Sequence, residues 1–328
     1  MEDFQKLLDL CCGTGRRVYI QTHNFPDPDA IASAYGLQKL LAHFGVETSI
    51  CYGGRIDKLS ASKMPKLFHI QMTPYDTLRA TMVDSDPIIC VDSQKNAGNI
   101  TDFIGDEIAA IDHHPTYVQE DYQYADLRIT GACATIIADY YRQMGLTPDE
   151  DTATALLYGL KMDTLQFSRG VTALDIAVFA FLHPLCNQEK LAFLERNNME
   201  FQDLKAYGAA IENIELYGAS GFSHIPFSCS DAMIAVLADF ILSLHEVDIA
   251  IVSSGREDGV KISVRSETPG IHAGELTHRA LNGIGDGGGH ATMAGGLIPK
   301  SHPQGQYFKE ELRDRFLCEI EQMEAIQR

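Results

Sequence analysis

The length, composition and charge of this chain exclude several classes of protein. The chain has 328 residues, which predicts two domains at a typical size of about 100–200 residues each. Apolar residues make up 45% of it, a composition typical of globular proteins and unlike that of collagen-like, coiled-coil or disordered chains. The net charge of −19 disfavours a protein that grips long DNA or RNA through many phosphate contacts. The charge does not exclude a short anionic substrate, provided that its binding pocket contains positive charge from metal ions or basic side chains.

Apolar patterning and cysteine usage predict a cytoplasmic protein without a membrane partner. The longest purely apolar runs, at residues 176–182 and 232–238, are too short to span a bilayer. The acidic start of the chain lacks the basic region of a secretory signal. The eight cysteines include no C-x-x-C pair, which favours reduced thiols over a zinc site or a disulfide framework.

The first half of the chain alternates predicted strands and helices. Short apolar runs predict buried strands at 18–22, 46–52, 87–91 and 107–111. Apolar residues at helical spacing predict helices at 30–44, 132–144 and 152–162. Because strands that alternate with helices form a parallel sheet with helices on its faces, we predict an α/β domain over residues 1–190.

The second half has a different pattern. A charged stretch over 188–216 is helical in character, and we predict a helical linker at 191–215. Strands are predicted at 222–227, 249–254 and 260–264, and helices at 231–245, 273–281 and from 308 onward. The last two strands flank a Gly-Arg-Glu-Asp-Gly turn, which predicts a hairpin. We therefore predict a smaller, mixed α+β domain over 216–328.

Acidic and histidine side chains follow three of the predicted strands. They are His23, Asp27 and Asp29 after the first strand, Asp92 after the third, and Asp112, His113 and His114 after the fourth. Ligands bind at the carboxyl ends of strands in open α/β sheets, so these side chains are expected to share one crevice. A further carboxylate, Asp163, follows the helix predicted at 152–162.

This set of side chains suits two divalent metal ions. Four carboxylates cancel the charge of two such ions, and neutral imidazoles fill the remaining positions. A mixture of histidine and carboxylate without thiolate favours Mn²⁺ or a similar transition ion over Mg²⁺. Two ions about 3.5–4 Å apart can activate water and hold both oxygens of a phosphoryl displacement.

Structural alternatives exist for the individual parts of this pattern. Asp29 stands directly before a helical stretch, where an aspartate is often the N-cap. A pair such as His113-His114 is often a surface or core feature. In the second half, the run Gly287, Gly288, Gly289 and His290 predicts either an anion-binding nest of backbone N–H groups or a plain glycine-rich loop.

The motifs, taken in order, resemble those of the DHH phosphoesterase superfamily. The first-half motifs are His23-x-x-Pro26-Asp27-x-Asp29-Ala30, Val91-Asp92-Ser93, Asp112-His113-His114 and Gly159-Leu160-x-x-Asp163-Thr164. Val264-Arg265-Ser266, Gly287-Gly-Gly-His290 and Ala294-Gly295-Gly296 resemble the DHH-associated C-terminal domain. The resemblance runs from about residue 18 to 298. By length and layout, the chain is most similar to the nanoRNase and pAp-phosphatase group, whose motif often has Gly where this chain has Pro28.

The resemblance implies a role for each residue of these motifs. His23 and Asp27 would hold one metal ion, and Asp29, His113 and Asp163 the other. Asp92 would bridge both ions. His114 would donate to the phosphate or the leaving oxygen, and Asp112 would orient its neighbours. In the second domain, the substrate-binding residues would be Arg265, Gly287, Gly288, Gly289 and His290.

The resemblance also implies an activity. We expect two Mn²⁺ ions, or another divalent transition ion, and hydrolysis of short nucleotides such as nanoRNA, pApA or pAp in a cleft between the domains. A cyclic dinucleotide phosphodiesterase and a non-catalytic nucleotide-binding sensor are the alternatives. Long duplex nucleic acid is not expected as a partner, and the sequence leaves a homodimer open.

Overall fold

The computed structural model describes residues 4–56, 58–116, 118–196, 198–303 and 308–327. The first three residues, which carry the acidic start of the chain, lie outside the described residues. The chain divides into two compact units, Met1–Asn198 and Met199–Arg328. Within the described ranges, no helix combines the length and the apolar character needed to cross a membrane.

The first unit contains a six-stranded parallel sheet. Its strands are β1 (Val18–Thr22), β2 (Thr48–Tyr52), β3 (Met72–Pro74), β4 (Pro87–Val91), β5 (Asp106–Ile111) and β6 (Tyr124–Asp126). They lie in the order β3-β2-β1-β4-β5-β6, and every neighbouring pair is parallel. The chain winds outward in opposite directions from β1 and β4, so the crevice at their carboxyl ends is the expected ligand position of the fold.

Helices cover this sheet. They are α1 (Phe4–Gly13), α2 (Pro28–His43), α3 (Leu59–Leu67), α4 (Tyr75–Leu78), α5 (Cys133–Gln143), α6 (Glu150–Asp163), α7 (Ala173–Leu182) and α8 (Gln188–Glu195). Central strand β4 is buried along its whole length. Ile89 and Val91 join the large core beneath α2, α5 and α6, while Ile88 and Cys90 join a smaller core on the other face. Burial on both faces explains why these strands are continuous apolar runs in the sequence.

The second unit contains a mixed six-stranded sheet. Its strands are β7 (Ile214–Tyr217), β8 (Ser220–Ile225), β9 (Ile249–Gly255), β10 (Gly259–Ser266), β11 (Asp286–Gly289) and β12 (Met293–Pro299), in the order β11-β12-β10-β9-β8-β7. Only the β8–β9 pair among these is parallel. Helices α9 (Asp203–Glu212) and α10 (Asp231–Leu242) pack with one core, and α11 (Ala273–Leu281) and α12 (Phe308–Gln327) with another. The α/β class predicted for the first half and the mixed class predicted for the second are both confirmed.

The stretch over 188–216 differs from the continuous helical segment expected there. Asn187 caps α8 through its side-chain oxygen, which accepts from the backbone N–H groups of Glu189 and Lys190. The helix ends at Glu195, α9 begins at Asp203, and β7 begins at Ile214. Charged residues on the surfaces of both helices gave the whole stretch one composition, so composition did not show where one helix ends and the next begins.

The structure also changes the interpretation of the glycine run at 287–289. These residues lie in β11, an edge strand that pairs with β12, with Gly288 opposite Gly295. The run is thus neither the loop nor the nest that glycine content predicted. Gly287 and Gly296 face each other beside α11, where a Cβ at either would lie within 2.7 Å of a side chain of that helix. Glycine is needed here for close strand–helix packing.

Helices α2 and α6 also approach closely at a glycine. A Cβ at Gly159 in α6 would lie 2.8 Å from the Cβ of Ala32 and 3.1 Å from the Cα of Asp29, both in α2. The methyl group of Ala32 and the backbone of Asp29 cannot move aside as a long side chain can. Any side chain at position 159 must therefore push the two helices apart. The glycine of the Gly159-Leu160 motif therefore sets the position of Asp29.

We expect alanine to have opposite effects at two helical glycines. Gly159→Ala should destabilise the chain by about 1–3 kcal/mol, because it overpacks the α2–α6 contact. Gly208→Ala in α9 should stabilise it by up to about 1 kcal/mol, because alanine is the better helix former and nothing lies within 4 Å of its Cβ position. Denaturant unfolding of both variants measures the difference. Equal effects of the two substitutions would contradict the close helix contact.

Candidate metal centre

The carboxyl ends of β1, β4 and β5 carry the acidic and histidine side chains that the sequence singled out. His23 follows β1, Asp92 follows β4, and Asp112 to His114 follow β5. Asp163 is the last residue of α6. The structure brings these eight side chains into three groups of potential ligands at the crevice where the winding of the sheet reverses. Two of the groups have no residue in common, and the third consists of Asp92, Asp112, His113 and His114.

The first group consists of His23, Asp27 and Asp92. The Nε2 atom of His23 lies 3.8 Å from Asp27 Oδ1 and 3.5 Å from Asp92 Oδ2. On the other side of the ring, Nδ1 is 2.8 Å from the carbonyl oxygen of Asn24. Because a carbonyl oxygen only accepts, Nδ1 donates this hydrogen bond, and the neutral ring keeps its lone pair on Nε2, facing the carboxylates.

The second group consists of Asp29, His113 and Asp163. The Nε2 atom of His113 lies 3.3 Å from Asp163 Oδ2 and 4.0 Å from Asp29 Oδ2. Its Nδ1 is 3.0 Å from the carbonyl oxygen of Thr130, which fixes the same tautomer as in His23. Two ligand atoms bound to one ion at about 2.0–2.2 Å stand roughly 3–3.6 Å apart, so both groups have spacings close to those of a metal site.

Asp92 lies between the two groups. Its Oδ2 faces His23, and its Oδ1 lies 3.4 Å from His113 Nε2. Each carboxylate oxygen therefore lies next to the histidine of one group. The residue is almost fully buried and has φ of 58°, in the left-handed region that non-glycine residues rarely adopt. Such a conformation costs about 1–3 kcal/mol and persists where the surroundings impose it, often at functional sites.

Helix N-termini position the two carboxylates that follow β1. Asp27 Oδ1 accepts from the backbone N–H groups of Asp29 and Ala30, so Asp27 is the N-cap of α2. The alternative that Asp29 caps this helix is therefore wrong. Asp29 instead accepts from the backbone N–H groups of Cys133 and Ala134 at the start of α5, at 2.7 and 2.9 Å. Pro28 is the first residue of α2, a position that suits its fixed φ and its missing N–H.

The electrostatics of this cluster show a deficit of positive charge. Burial, with repulsion from Asp27 and Asp92, raises the pKa of Asp163 to about 6. Burial and the neighbouring carboxylates also hold the pKa of Asp29 well above its usual range. Burial alone would lower the pKa of His23 and His113, but the surrounding carboxylates outweigh it and raise both well above the usual value. Cations would relieve this repulsion.

Two buried atoms in the cluster lack hydrogen-bond partners. They are Asp92 Oδ1 and His113 Nε2, two of the atoms that a metal ion would need. Buried polar atoms are normally satisfied, and each unsatisfied one requires an explanation. The two atoms lie 3.4 Å apart; Asp92 Oδ1 is an electron-pair donor, and His113 Nε2 is one when the ring is neutral. The residues present therefore fit divalent cations.

A second layer of hydrogen bonds surrounds His114. Its Nδ1 is 2.8 Å from Asp112 Oδ1, which also accepts from the backbone N–H of His113. Asp112 Oδ2 accepts from the side-chain amide of Gln94, and the same amide reaches the carbonyl of His114 at 3.3 Å. Gln94 is a positioning residue that the sequence analysis missed. Its place two residues after Asp92, at the end of β4, was the available signal.

Most of the residues predicted to bind substrate in the second unit line one cavity. The cavity has a volume of about 340 Å³, and Arg265, Gly288, Gly289 and His290 are among its lining residues. Gly287 is not among these, because it packs beneath α11. The guanidinium of Arg265 is held by Asp239, with Nε 2.5 Å from Oδ1, and its Nη1 donates to Ser263 Oγ and to its own strand at Val264 O. Sequence analysis missed Asp239, which lies 26 residues earlier in α10.

Comparison with family models identifies a domain in each unit. Residues 17–160 match the DHH family, N-terminal domain, and residues 219–324 match the DHHA1 domain. The first match contains the motifs from His23 to Gly159, and the second contains Arg265 and His290. Together the two matches cover more than two thirds of the chain.

Curated relatives resemble the chain along most of its length. The uncharacterized protein MJ1633 of Methanocaldococcus jannaschii is 28% identical over 90% of this chain and 60% of its own length. The cyclic-di-AMP phosphodiesterase GdpP of Bacillus subtilis is 25% identical over 84% of this chain and 44% of its own length. The bifunctional oligoribonuclease and PAP phosphatase NrnA of Thermus thermophilus is 24% identical over 86% of this chain and 84% of its own length. The chain thus spans about half the length of the first two relatives.

A solved structure shares the fold of the whole chain. An exopolyphosphatase-related protein from Bacteroides fragilis has a TM-score of 0.79 to it and is 16% identical, with 99% of each chain covered. At this identity the likeness shows the fold alone. Taken with the two family matches and the motifs gathered at the carboxyl edge of the sheet, it leads to one assignment: the chain belongs to the DHH superfamily and carries both the DHH and the DHHA1 domain.

Proposed function

We propose that this protein is a Mn²⁺-dependent phosphoesterase that hydrolyses short nucleotides, such as nanoRNA, pApA and pAp, at the centre around Asp92. The observation that carries this proposal is the position of the buried carboxylate of Asp92, whose two oxygens lie 3.5 Å from His23 Nε2 and 3.4 Å from His113 Nε2. Membership of the DHH superfamily supports hydrolysis of phosphoesters, and the likeness to the oligoribonuclease and PAP phosphatase NrnA supports this substrate class.

The donor set supports two manganese ions. Carboxylates and imidazoles without thiolate suit Mn²⁺ or a similar transition ion. The thiol of Cys133, whose backbone N–H contacts Asp29, donates to the carbonyl oxygen of Ile111 at 3.4 Å, and burial raises its pKa well above the usual value. When bound, two divalent ions activate water and neutralise charge on the phosphoryl group.

His114 is proposed to donate a proton or a hydrogen bond to the departing oxygen. The hydrogen bond from Nδ1 to Asp112 fixes the orientation of the ring, and we propose Nε2 as the atom that donates. Burial lowers the pKa of His114, but the bond to Asp112 and the charge of Asp92 outweigh it, and the pKa lies above the usual value. Gln94 holds Asp112 from the opposite oxygen and keeps it oriented toward His114.

Arg265 and His290 are proposed to bind the nucleotide in the second unit, with Gly288 and Gly289 lining the same cavity. Because Asp239 and Ser263 already hold the guanidinium, Arg265 would offer substrate a rigid donor rather than a mobile one. A rigid donor loses less conformational freedom on binding than a flexible side chain does.

The cyclic dinucleotide phosphodiesterase is the second candidate, and the likeness to GdpP favours it. Both candidates use the same centre and differ in the substrate accepted. A non-catalytic nucleotide sensor belongs to another class, and the complete set of potential ligands argues against it, since a sensor has no use for two groups of ligands on either side of Asp92.

Substitutions of two aspartates should distinguish the binding of the two ions. Asp92→Asn should weaken binding of both Mn²⁺ ions at least tenfold, because each Asp92 oxygen serves one group and amide oxygens are weaker ligands. Asp163→Asn should weaken binding of one ion only. Calorimetric titration with Mn²⁺ gives the number and affinity of the ions, and the exposed Asp76→Asn is the control. Normal binding of two ions by Asp92→Asn would contradict the shared ligand.

A panel of substrates tests the proposed activity. With Mn²⁺, the protein should hydrolyse pAp, pApA and short RNA, while a clear preference for cyclic dinucleotides would favour the second candidate. Absence of hydrolysis across the whole panel, from protein that binds Mn²⁺, would contradict both and favour the sensor.

Substrate length should also matter. With a net charge of −19, kcat/KM should fall beyond about five nucleotides, because each additional phosphate meets an unfavourable field. Measurement of kcat/KM for RNAs of about two to twenty-four nucleotides, at two salt concentrations, checks this expectation. Higher efficiency on the longest strands, with a steep dependence on salt, would instead indicate a channel for long nucleic acid.

A further inference from the structure

Phe25 has an unusual position and conformation beside the candidate metal centre. It lies between two proposed ligands, His23 and Asp27, and 54% of it is exposed. Its φ is 56°, in the left-handed region, where a bulky residue is an outlier. The local backbone imposes this conformation, since Phe25 N–H donates to the carbonyl of Gly53 at 3.1 Å and Asn24 N–H donates to that of Asn99 at 2.8 Å.

The aromatic ring lies against a glycine at the end of β2. A Cβ at Gly54 would be 2.9–3.0 Å from three carbons of the Phe25 ring, so the ring rests on the bare backbone of that residue. Lys58, which also follows β2 in the chain, has its Nζ 3.8 Å from Asp27 Oδ2. The carboxyl edge of the sheet therefore carries an exposed aromatic ring and a cation beside the first group of ligands.

Folding alone gives no reason for this arrangement. Asparagine or glycine would adopt the left-handed backbone at position 25 with less strain. More than half of Phe25 is exposed, so the ring gains little from removal from water that would offset the cost of its backbone conformation. The sequence thus combines strain and exposure at a residue directly beside the centre, a combination expected at functional sites.

We propose that Phe25 is a stacking surface for a nucleobase next to the metal centre. The proposal rests on the proposed function and narrows it, because an aromatic platform favours a nucleotide over inorganic pyrophosphate or polyphosphate. Every base has a flat π-face, and stacking on an aromatic side chain is a sequence-tolerant way to hold short single strands. Phe25 is a specificity residue that touches substrate, while bond cleavage belongs to the centre itself.

Binding of two small probes to the Mn²⁺-loaded protein tests this assignment. Adenosine 5′-monophosphate carries a base and inorganic phosphate does not. The wild-type protein should bind the monophosphate at least about tenfold more tightly than phosphate, a gain typical of one stacked base. Phe25→Asn removes the ring while suiting the left-handed backbone, and it should weaken binding of the monophosphate about tenfold with little effect on phosphate. Phe25→Tyr keeps the ring and should bind as the wild type does.

Controls keep the result specific to the ring. Phe193→Ala removes an equally exposed phenylalanine from α8 and should change neither affinity. Phe25→Leu keeps the apolar bulk without the π-face and should resemble Phe25→Asn. The assignment would be overturned if Phe25→Asn bound the monophosphate as tightly as the wild type does, or if the wild type bound both probes equally. Neither result would contradict the proposed metal-dependent hydrolysis. Absence of binding to both probes, together with no hydrolysis, would overturn the proposed function and this inference with it.

Discussion

The convergence of four carboxylates in one water-poor place is the constraint on which the rest of the first unit depends. Asp27 lies beside His23, Asp29 and Asp163 lie beside His113, and Asp92 lies beside both histidines. Like charges at this spacing repel strongly when solvent is excluded. Burial and the neighbouring carboxylates raise the pKa of Asp29 and of Asp163, and Asp29 also accepts from a backbone N–H donor. Divalent cations would supply the positive charge that neutralises these carboxylates.

The fold supplies the means of holding this cluster together. The start of α2 solvates Asp27, and the start of α5 solvates Asp29, so two helix N-termini direct their partial positive charge at the acidic cluster. Carbonyl groups of Asn24 and Thr130 fix the histidine rings. The absence of a side chain at Gly159 lets α6 come close enough to bring Asp163 to the cluster. Each contact is local, but all of them depend on the parallel sheet that aligns the strand ends.

The sequence was most informative where one strand end carried one motif. The buried strands were predictable because burial on both faces requires continuous apolar runs, and the residues that follow them were predictable because parallel strands end at one edge. Asp163 was recognised through its motif, since a residue at the end of a helix has no such rule of position.

Other features could not be read from the sequence, for physical reasons. The pairing of Arg265 with Asp239 joins a strand and a helix, and nothing in the local pattern of either indicates the other. The glycines of β11 were interpreted by composition, whereas their conformation is set by pairing with β12 and by contact with α11. The left-handed backbone of Phe25 and Asp92 is likewise imposed by tertiary contacts and has no signal in the local sequence.

The central claim is that Asp92 connects two metal ions. Crystals of the Mn²⁺-loaded protein, measured at the manganese absorption edge, would locate the ions directly by anomalous diffraction. The account predicts two anomalous peaks about 3.5–4 Å apart, one next to each oxygen of Asp92. A single peak, or two peaks of which neither adjoins Asp92, would contradict it.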